Sequence, residues 1–371
     1  MGKKVLQICS YYLGTKLYQR LFESLEANNI QEDAYVFTNY ENSIKEGYQQ
    51  NVKVSKCYNN RDRYIFHLKH LKVLKDIQNK MDIHKYNVIH AHSLFSNGYI
   101  AYKLYKKYNI PYIVAVRNTD VNIFFKKMIH LRPLGLNILR NARKVIFISN
   151  PYKEFTINNY IPNKYKNEIT EKSVVIPNGI DRFWFENKFS SKSIPKNNKI
   201  NLIYVGTLDS NKNIETTTKA CKMLIQKGYK INYKIIGRIV NEKYKDFIKD
   251  YSFIEYISHC DNEELIKYYR SSDIFVMPSK HETFGLVYAE AMSQGLPVIY
   301  TRGQGFDGQF EEGEVGYSVQ YDNEEEIADR IIDIVDNYEE ISKNCIDKVG
   351  RFDWDKITRE YIEIYNENLR V

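Results

Sequence analysis

The feature that most restricts this chain is a regular alternation of short apolar runs with amphipathic helical patterns. In the first half, VLQIC (5–9), AYVFT (34–38), NVIHA (87–91), YIVAV (112–116) and KVIFI (144–148) read as strands. Between them, 15–28 repeats Leu17, Leu21 and Leu25 at four-residue steps, and 96–108 is a second helical stretch. VVIPNGID closes a strand in a turn broken by Asn178 and Gly179. Residues 182–199, which contain NKFSSKSIPKNN, read as a linker. The alternation then restarts, with strands at 201–206, 231–237, 253–257, 273–278 and 296–301 and helices at 212–227, 241–250, 261–271 and 286–294. This pattern predicts an α/β architecture of mostly parallel sheets covered on both faces. Two blocks predict two doubly wound, Rossmann-like domains. Ligands of open parallel sheets gather beyond the carboxyl ends of the strands, so the site is expected at a central cleft between the blocks. FDWDKITREYIEIYNENL reads as a closing amphipathic helix.

The bulk numbers agree with this picture. A chain of 371 residues, 43% hydrophobic and 27% charged, reads as a soluble globular protein of two domains. No apolar run approaches the ~18 residues that span a bilayer. Met-Gly-Lys-Lys leads straight into VLQIC, which reads as no signal peptide. Cys9, Cys57, Cys221, Cys260 and Cys345 show no CxxC spacing and suit reduced thiols in a cytoplasm. The net charge of +8 is uneven: residues 1–195 hold 31 Lys and Arg against 15 Asp and Glu, the remainder 23 against 31. A basic first half suits an anionic lipid, an anionic acceptor or nucleic acid. No recognition motif accompanies the charge, which sets nucleic acid aside. In RDRYIFHLKHLKVLKDIQNK (61–80), Ile65, Leu68, Leu71, Leu74 and Ile77 step by three, with Lys69, Lys72 and Lys75 beside them. Phe124, Phe125, Lys126 and Lys127 form a second basic-aromatic patch. Both fit peripheral contact with the inner face of a membrane, and both equally fit a packed helix with a solvated basic edge.

The most informative stretch is PSKHETFGLVYAEAMSQGLPVIYT (278–301). Ser279 to Thr283 join a strand to a helix, and a helix start offers free N–H groups and partial positive charge to a phosphate. Gly285 lets main chain approach a ligand. Glu282 lies in the loop and Glu290 inside the helix, eight positions on. A fully helical segment would separate them by ~12 Å, wide for a glycosidase dyad. The spacing suits an elongated ligand with hydroxyls at both ends and phosphate between, such as a sugar nucleotide.

The string P-S-x-x-E-T-F-G-L-V-x-x-E-A-M-x-x-G-L-P-V-I resembles the donor-site motif of the retaining glycosyltransferases of family 4, which have the GT-B fold. VIHAHS (88–93), VVIPNGID (174–181) and IYVGTLDSNKN (203–213) are similar to further family segments in the same order. The resemblance implies an amino-terminal, acceptor-side domain over 1–182, rejoined by a closing helix at 353–371. It implies a donor domain over 199–352. It further implies that Glu282 contacts the donor sugar and Glu290 the ribose, and that Thr283, Phe284, Gly285 and Leu286 border the diphosphate. Lys212 matches the phosphate-binding lysine, in a segment that also carries Gly206 and Thr207. Arg238 stands where the base is met, and Gly14 in the first loop facing the donor. His92, Asn118 and Asp120 fall on the acceptor side.

Two departures stand out. Thr207 occupies the place of the family's arginine, and residues 116–120 read V-R-N-T-D where the family has V-H-G-T-D, so that Arg117 stands at the histidine. Arg117 cannot be a neutral base but can brace a phosphate; a loop salt bridge with Asp120 is the plainer reading. His90 and His92 have the look of a metal pair, but no third ligand is visible and packing explains them better. Asp353 and Asp355 form a DxD that opens the last helix, where N-capping is expected. No metal or other cofactor is therefore expected. GFDGQF (305–310) is either a closing loop or ordinary turn chemistry. The expected activity is transfer of a sugar, UDP-linked by family frequency, to a glycan or lipid-linked acceptor of a capsule or lipopolysaccharide. A GT-B sugar-nucleotide epimerase and a non-catalytic scaffold are the alternatives.

Overall fold

Runs of Val, Ile and Leu become strands buried on both faces, as parallel pairing under helices requires. The computed structural model describes residues 4–42, 48–193 and 198–368. The chain divides into two units: Met1–Ile148 with Lys153–Pro177 and Trp354–Val371, and Ser149–Tyr152 with Asn178–Asp353.

The first unit carries β1 (Lys4–Ile8), β2 (Gln31–Asn39), β3 (Val52–Tyr58), β4 (Val88–Ala91), β5 (Tyr112–Ala115), β6 (Lys144–Phe147) and β7 (Ser173–Val175). They pair in the order β3-β2-β1-β4-β5-β6-β7, every neighbour parallel. The helix Lys16–Ala27 follows β1, its start capped by Thr15, whose side chain accepts the Leu17 N–H. It buries Tyr18, Leu21, Phe22 and Leu25. The closing helix Trp354–Asn368 places Ile357, Tyr361, Ile364 and Tyr365 in the same core.

A polar chain runs through that core. Gln7 Nε2 donates to Glu32 Oε2 at 2.6 Å and to the Tyr365 hydroxyl at 3.1 Å. Gln7 Oε1 meets His92 Nε2 at 2.9 Å, and Tyr365 Oη meets His90 Nδ1 at 2.8 Å. Burial pushes the Glu32 carboxyl up to about 8 and holds His90 down at about 3. Burial likewise holds His92, just beyond β4, well below its ordinary value, so both histidines are neutral packing groups.

The second unit carries β8 (Lys199–Val205), β9 (Lys230–Ile236), β10 (Ile254–Ile257), β11 (Ile274–Val276), β12 (Val298–Thr301) and β13 (Gly316–Val319). The order is β10-β9-β8-β11-β12-β13, again all parallel. Both sheets are doubly wound, with the first strand in the middle.

Three readings of the sequence need correction. Residues 182–192 are not slack. Asp181 caps the helix Arg182–Glu186, Trp184 is buried against Tyr269, and Lys192 Nζ donates to the carbonyls of Tyr269, Arg270 and Ser272. The Phe-Trp-Phe run has too much apolar surface to stay in water. Residues 194–197 of that stretch lie outside the described residues. Strands β3 and β13 were missed because both are edges: β3 alternates with lysines and β13 is four residues beginning at glycine.

Glu32 binds its proton more tightly in the folded chain than its ordinary value of 4.5 allows. Its contribution to stability is full below about 4.5 and is lost as pH rises through about 8. Glu32→Gln is expected to flatten the fall in urea midpoint between pH 5 and 9 and to leave the variant the more stable chain at pH 9.

Candidate active site

Between β8 and β11 the strand order reverses, which opens a crevice at their carboxyl ends. Two loops meet there. Asn211 acts on the second loop like a strand neighbour: its Oδ1 accepts the His281 N–H at 3.0 Å, its Nδ2 donates to the His281 carbonyl at 2.9 Å, and its own carbonyl accepts the Lys280 N–H at 2.8 Å. Asp209 Oδ1 accepts the N–H groups of Asn211 and Lys212, and its Oδ2 accepts the Thr207 hydroxyl. Thr207 thus braces the loop and brings no cation to it.

These contacts deliver Lys212 Nζ to 2.7 Å from Glu282 Oε2. Glu282 Oε1 accepts the N–H groups of Thr283 at 3.0 Å and Phe284 at 3.4 Å. A carboxylate and an ammonium therefore sit at the approach to the helix Leu286–Ser293. The side chains are 20% and 13% exposed, shielded enough to strengthen the pair and open enough to exchange partners. Gly285 enters this helix at φ +78°, a left-handed conformation that favours glycine. Glu282 thus lies in a bent loop rather than on one continuous helix with Glu290.

The loop after β12 props this arrangement from below. Gln304 Oε1 accepts the Glu282 N–H at 2.9 Å, and the Gly305 N–H donates to the Glu282 carbonyl at 2.8 Å. A Cβ on Gly305 would lie 2.0 Å from the Thr283 carbonyl oxygen, so only glycine fits. GFDGQF is here a buttress under the motif loop.

Beside the ion pair, a cavity of about 530 Å³ is lined by Gly206, Thr207, Arg238 and Glu290, together with His259, Cys260 and Asn262. Burial pushes the Glu290 carboxyl up to about 7, with the negative charge of Asp181 adding to the effect, while a hydrogen bond from Trp184 opposes it. Glu290 thus changes charge near neutrality.

The family described as Glycosyl transferases group 1 matches residues 185–350, and the family described as Glycosyltransferase Family 4 matches residues 20–182. The chain belongs to the family 4 glycosyltransferases. It is 24% identical over 287 residues to an uncharacterized glycosyltransferase of Methanocaldococcus jannaschii, covering 76% of this chain and 75% of that one. The sucrose-phosphate synthase of Thermosynechococcus elongatus superposes with a TM-score of 0.75 at 18% identity, over 99% of both chains. The HepE protein of Anabaena, solved in complex with UDP, gives 0.71 at 17% identity, over 99% of this chain and 100% of that one. The fold is GT-B, with two parallel-sheet, Rossmann-like domains.

In this glycosyltransferase the expected donor residues Gly206, Thr207, Lys212, Arg238, Glu282, Thr283, Phe284, Gly285, Leu286 and Glu290 all lie in the second unit: Arg238 in the loop after β9, where it lines the cavity, and the others on the loops after β8 and β11 or on the helix Leu286–Ser293. Phe284 buries its ring against Phe352. Gly14, Arg117, His92, Asn118 and Asp120 lie in the first unit. Gly14 ends a tight turn and has open space where a Cβ would be. Asn118 is exposed and accepts from Asn122.

The others are interior groups. His92 is fully buried between Tyr18, Phe22 and His90. Asp120 is buried, and its carboxylate accepts the N–H groups of Leu94, Phe95 and Arg117 at 2.9, 3.0 and 2.8 Å. Arg117 lies under the surface, its guanidinium 6.0 Å from the Tyr18 ring and hydrogen-bonded to Tyr361. Asp120 and Arg117 tie the loop after β5 to neighbouring elements, and His92 packs just beyond β4, where its ring meets Gln7.

Sequence reasoning missed Trp184, His259, Cys260 and Asn262. The last three follow strand β10, and the rule that sites lie at strand carboxyl ends would have found them. Trp184 left no such signal, because its role depends on where the helix Arg182–Glu186 packs. Replacing it by Phe removes a donor to Glu290, so Trp184→Phe is expected to raise the Glu290 titration point above about 7, read from its side-chain carboxyl ¹³C shift. Gly305→Ala is expected to cost about 1–3 kcal/mol in urea unfolding, because main chain must move to admit the methyl group.

Proposed function

We propose that this glycosyltransferase transfers a sugar, with retention at its anomeric carbon, from a nucleotide diphosphate sugar to a hydroxyl of a glycan or lipid-linked acceptor of the cell surface. The observation that carries the reading is the Lys212–Glu282 pair at a helix start, with a nucleoside-sized cavity lined by Glu290 beside it. In the donor complex Lys212 exchanges Glu282 for the diphosphate. The main-chain N–H groups from Thr283 to Leu286 complete the anion seat. Glu282 is then free to accept the sugar hydroxyls, and Glu290 accepts those of the ribose. Arg238 and His259 stand at the base end. UDP is the first choice of nucleotide, supported by the complex in which HepE was solved.

In the chemical step the bond between the anomeric carbon and the diphosphate oxygen breaks. The acceptor oxygen bonds that carbon on the same face, and the acceptor proton passes to the departing phosphate. Charge growing on the leaving oxygen is met by the Lys212 ammonium and by the helix start, which is where fixed dipoles accelerate a reaction. This account needs no metal ion. Thr207 supplies no second cation, so Lys212 carries more of the load.

A thermal-shift panel of UDP-, GDP- and ADP-sugars, followed by nucleotide release with and without acceptor glycans, tests the reading. Lys212→Ala is expected to lower kcat by ~10²–10³-fold, the cost of losing one charge-stabilising donor. Glu290→Ala is expected to act on nucleotide affinity, and Glu282→Ala on transfer. Unchanged kinetics in both Glu variants would sink the assignment.

The ribose hydroxyls donate, so they favour the ionised form of Glu290. Nucleotide affinity is therefore expected to rise as pH increases through about 7 and to be level above it. The difference between pH 6 and pH 8 is roughly tenfold for a single group titrating there. Isothermal titration of Glu290→Gln should show that dependence lost.

A further inference from the structure

The helix Phe66–Lys80 is oriented differently from the three-step stripe in its sequence. Each step of three falls about 60° short of a full turn, so a line from Ile65 to Ile77 winds across the helix rather than along one side. The structure buries Phe66, His70, Val73 and Ile77. The opposite face and the turn before it leave Tyr64 89%, Ile65 58%, Leu68 41% and Leu71 54% exposed.

A second exposed pair adjoins this face. The Phe66 and Phe124 rings meet at 5.8 Å, which brings the wide helical turn Asp120–Phe125 alongside the helix start. That segment and the next turn expose Ile123 at 44% and Ile129 at 62%. Six large apolar side chains thus stand in water within one neighbourhood of the first unit, a concentration that marks an interaction surface.

The charge around them is of one sign. Arg61, Arg63, Lys75, Lys126 and Lys127 are exposed in the same segments. Asp62 is consumed by Lys72 and by the Asn59 N–H, and Asp76 by Ser55, Tyr35 and Lys80. From residue 83 to residue 153 the sequence has one acidic residue, Asp120, and it is buried. A second copy of this face would meet its own positive charge. Nucleic acid would answer the lysines and leave the aliphatic side chains without a partner. A surface with both an apolar interior and a negative skin answers both.

We propose that this face docks on an anionic lipid bilayer. The helix Phe66–Lys80 lies in the interface plane, with Tyr64, Ile65, Leu68, Leu71, Ile123 and Ile129 entering the boundary between headgroups and acyl chains. The lysines and arginines around them pair with lipid phosphates. Among the described residues no helix is long and apolar enough to cross a membrane, so the attachment is a surface one. The proposal does not rest on the transferase reading, because its readout is binding and not turnover.

The test is co-sedimentation of the full chain with vesicles of phosphatidylcholine alone or mixed with phosphatidylglycerol. Expected is binding to the mixed vesicles that weakens with salt, and much weaker binding to phosphatidylcholine. The triple variant Ile65→Ser, Leu68→Ser, Leu71→Ser should lower the partition coefficient by about tenfold or more at every salt concentration, since each lost apolar contact weakens insertion. Lys126→Glu with Lys127→Glu should remove the preference for the anionic lipid. All of these side chains are exposed, so unchanged melting temperatures would show the variants folded. Vesicle binding that the triple serine variant leaves intact would overturn the proposal. So would a failure to bind vesicles together with concentration-dependent dimerisation, or nucleic-acid binding, that the same substitutions abolish.

Discussion

The candidate site rests on main chain pressed against main chain. Gly305 lies so close to the Thr283 carbonyl that no methyl group fits, and its N–H holds the carbonyl of Glu282. That contact sets the height and tilt of the loop after β11. From the other side, Asp209 and Asn211 tie the loop after β8 to the same peptide groups. Only with both constraints in place does the four-carbon stem of Lys212 end 2.7 Å from Glu282. Loops without these anchors would have to lose about 1–2 kcal/mol of backbone freedom per residue before the pair could form; here the main-chain contacts already fix them.

The ion pair is also a placeholder in physical terms. Glu282 accepts two main-chain N–H groups and a lysine, the set of donors that an oxyanion at a helix start demands. A protein that keeps such donors satisfied by its own carboxylate holds them ordered without leaving any of them unpaired. A more strongly charged ligand can then displace the carboxylate without reorganising the loop.

The first unit spends its polar groups differently. Glu32, Gln7, His90, His92 and Tyr365 hydrogen-bond one another inside the core, which fixes the closing helix Trp354–Asn368 against β1 and β4. Arg117 joins that helix through Tyr361. The same unit leaves large aliphatic groups outside on the helix Phe66–Lys80. Polar inside and apolar outside is a costly arrangement for a chain in water alone, and it marks the unit as shaped by more than the stability of its core.

Much was legible before any coordinates. Strand-helix alternation with continuous apolar strands allows little besides parallel, doubly wound sheets. The order of Glu282, Gly285 and Glu290 after a buried strand fixes the end of the sheet at which their loop lies, because parallel strands all present the same end. These are local signals, carried by period and by residue type. The edge strands β3 and β13 escaped because an edge needs no continuous apolar run. Trp184 beside Glu290, the burial of Arg117 and Asp120, and the outward face of Ile65, Leu68 and Leu71 were decided only by tertiary structure. Each depends on which neighbour arrives from far along the chain, and neither helical period nor residue chemistry encodes that distance.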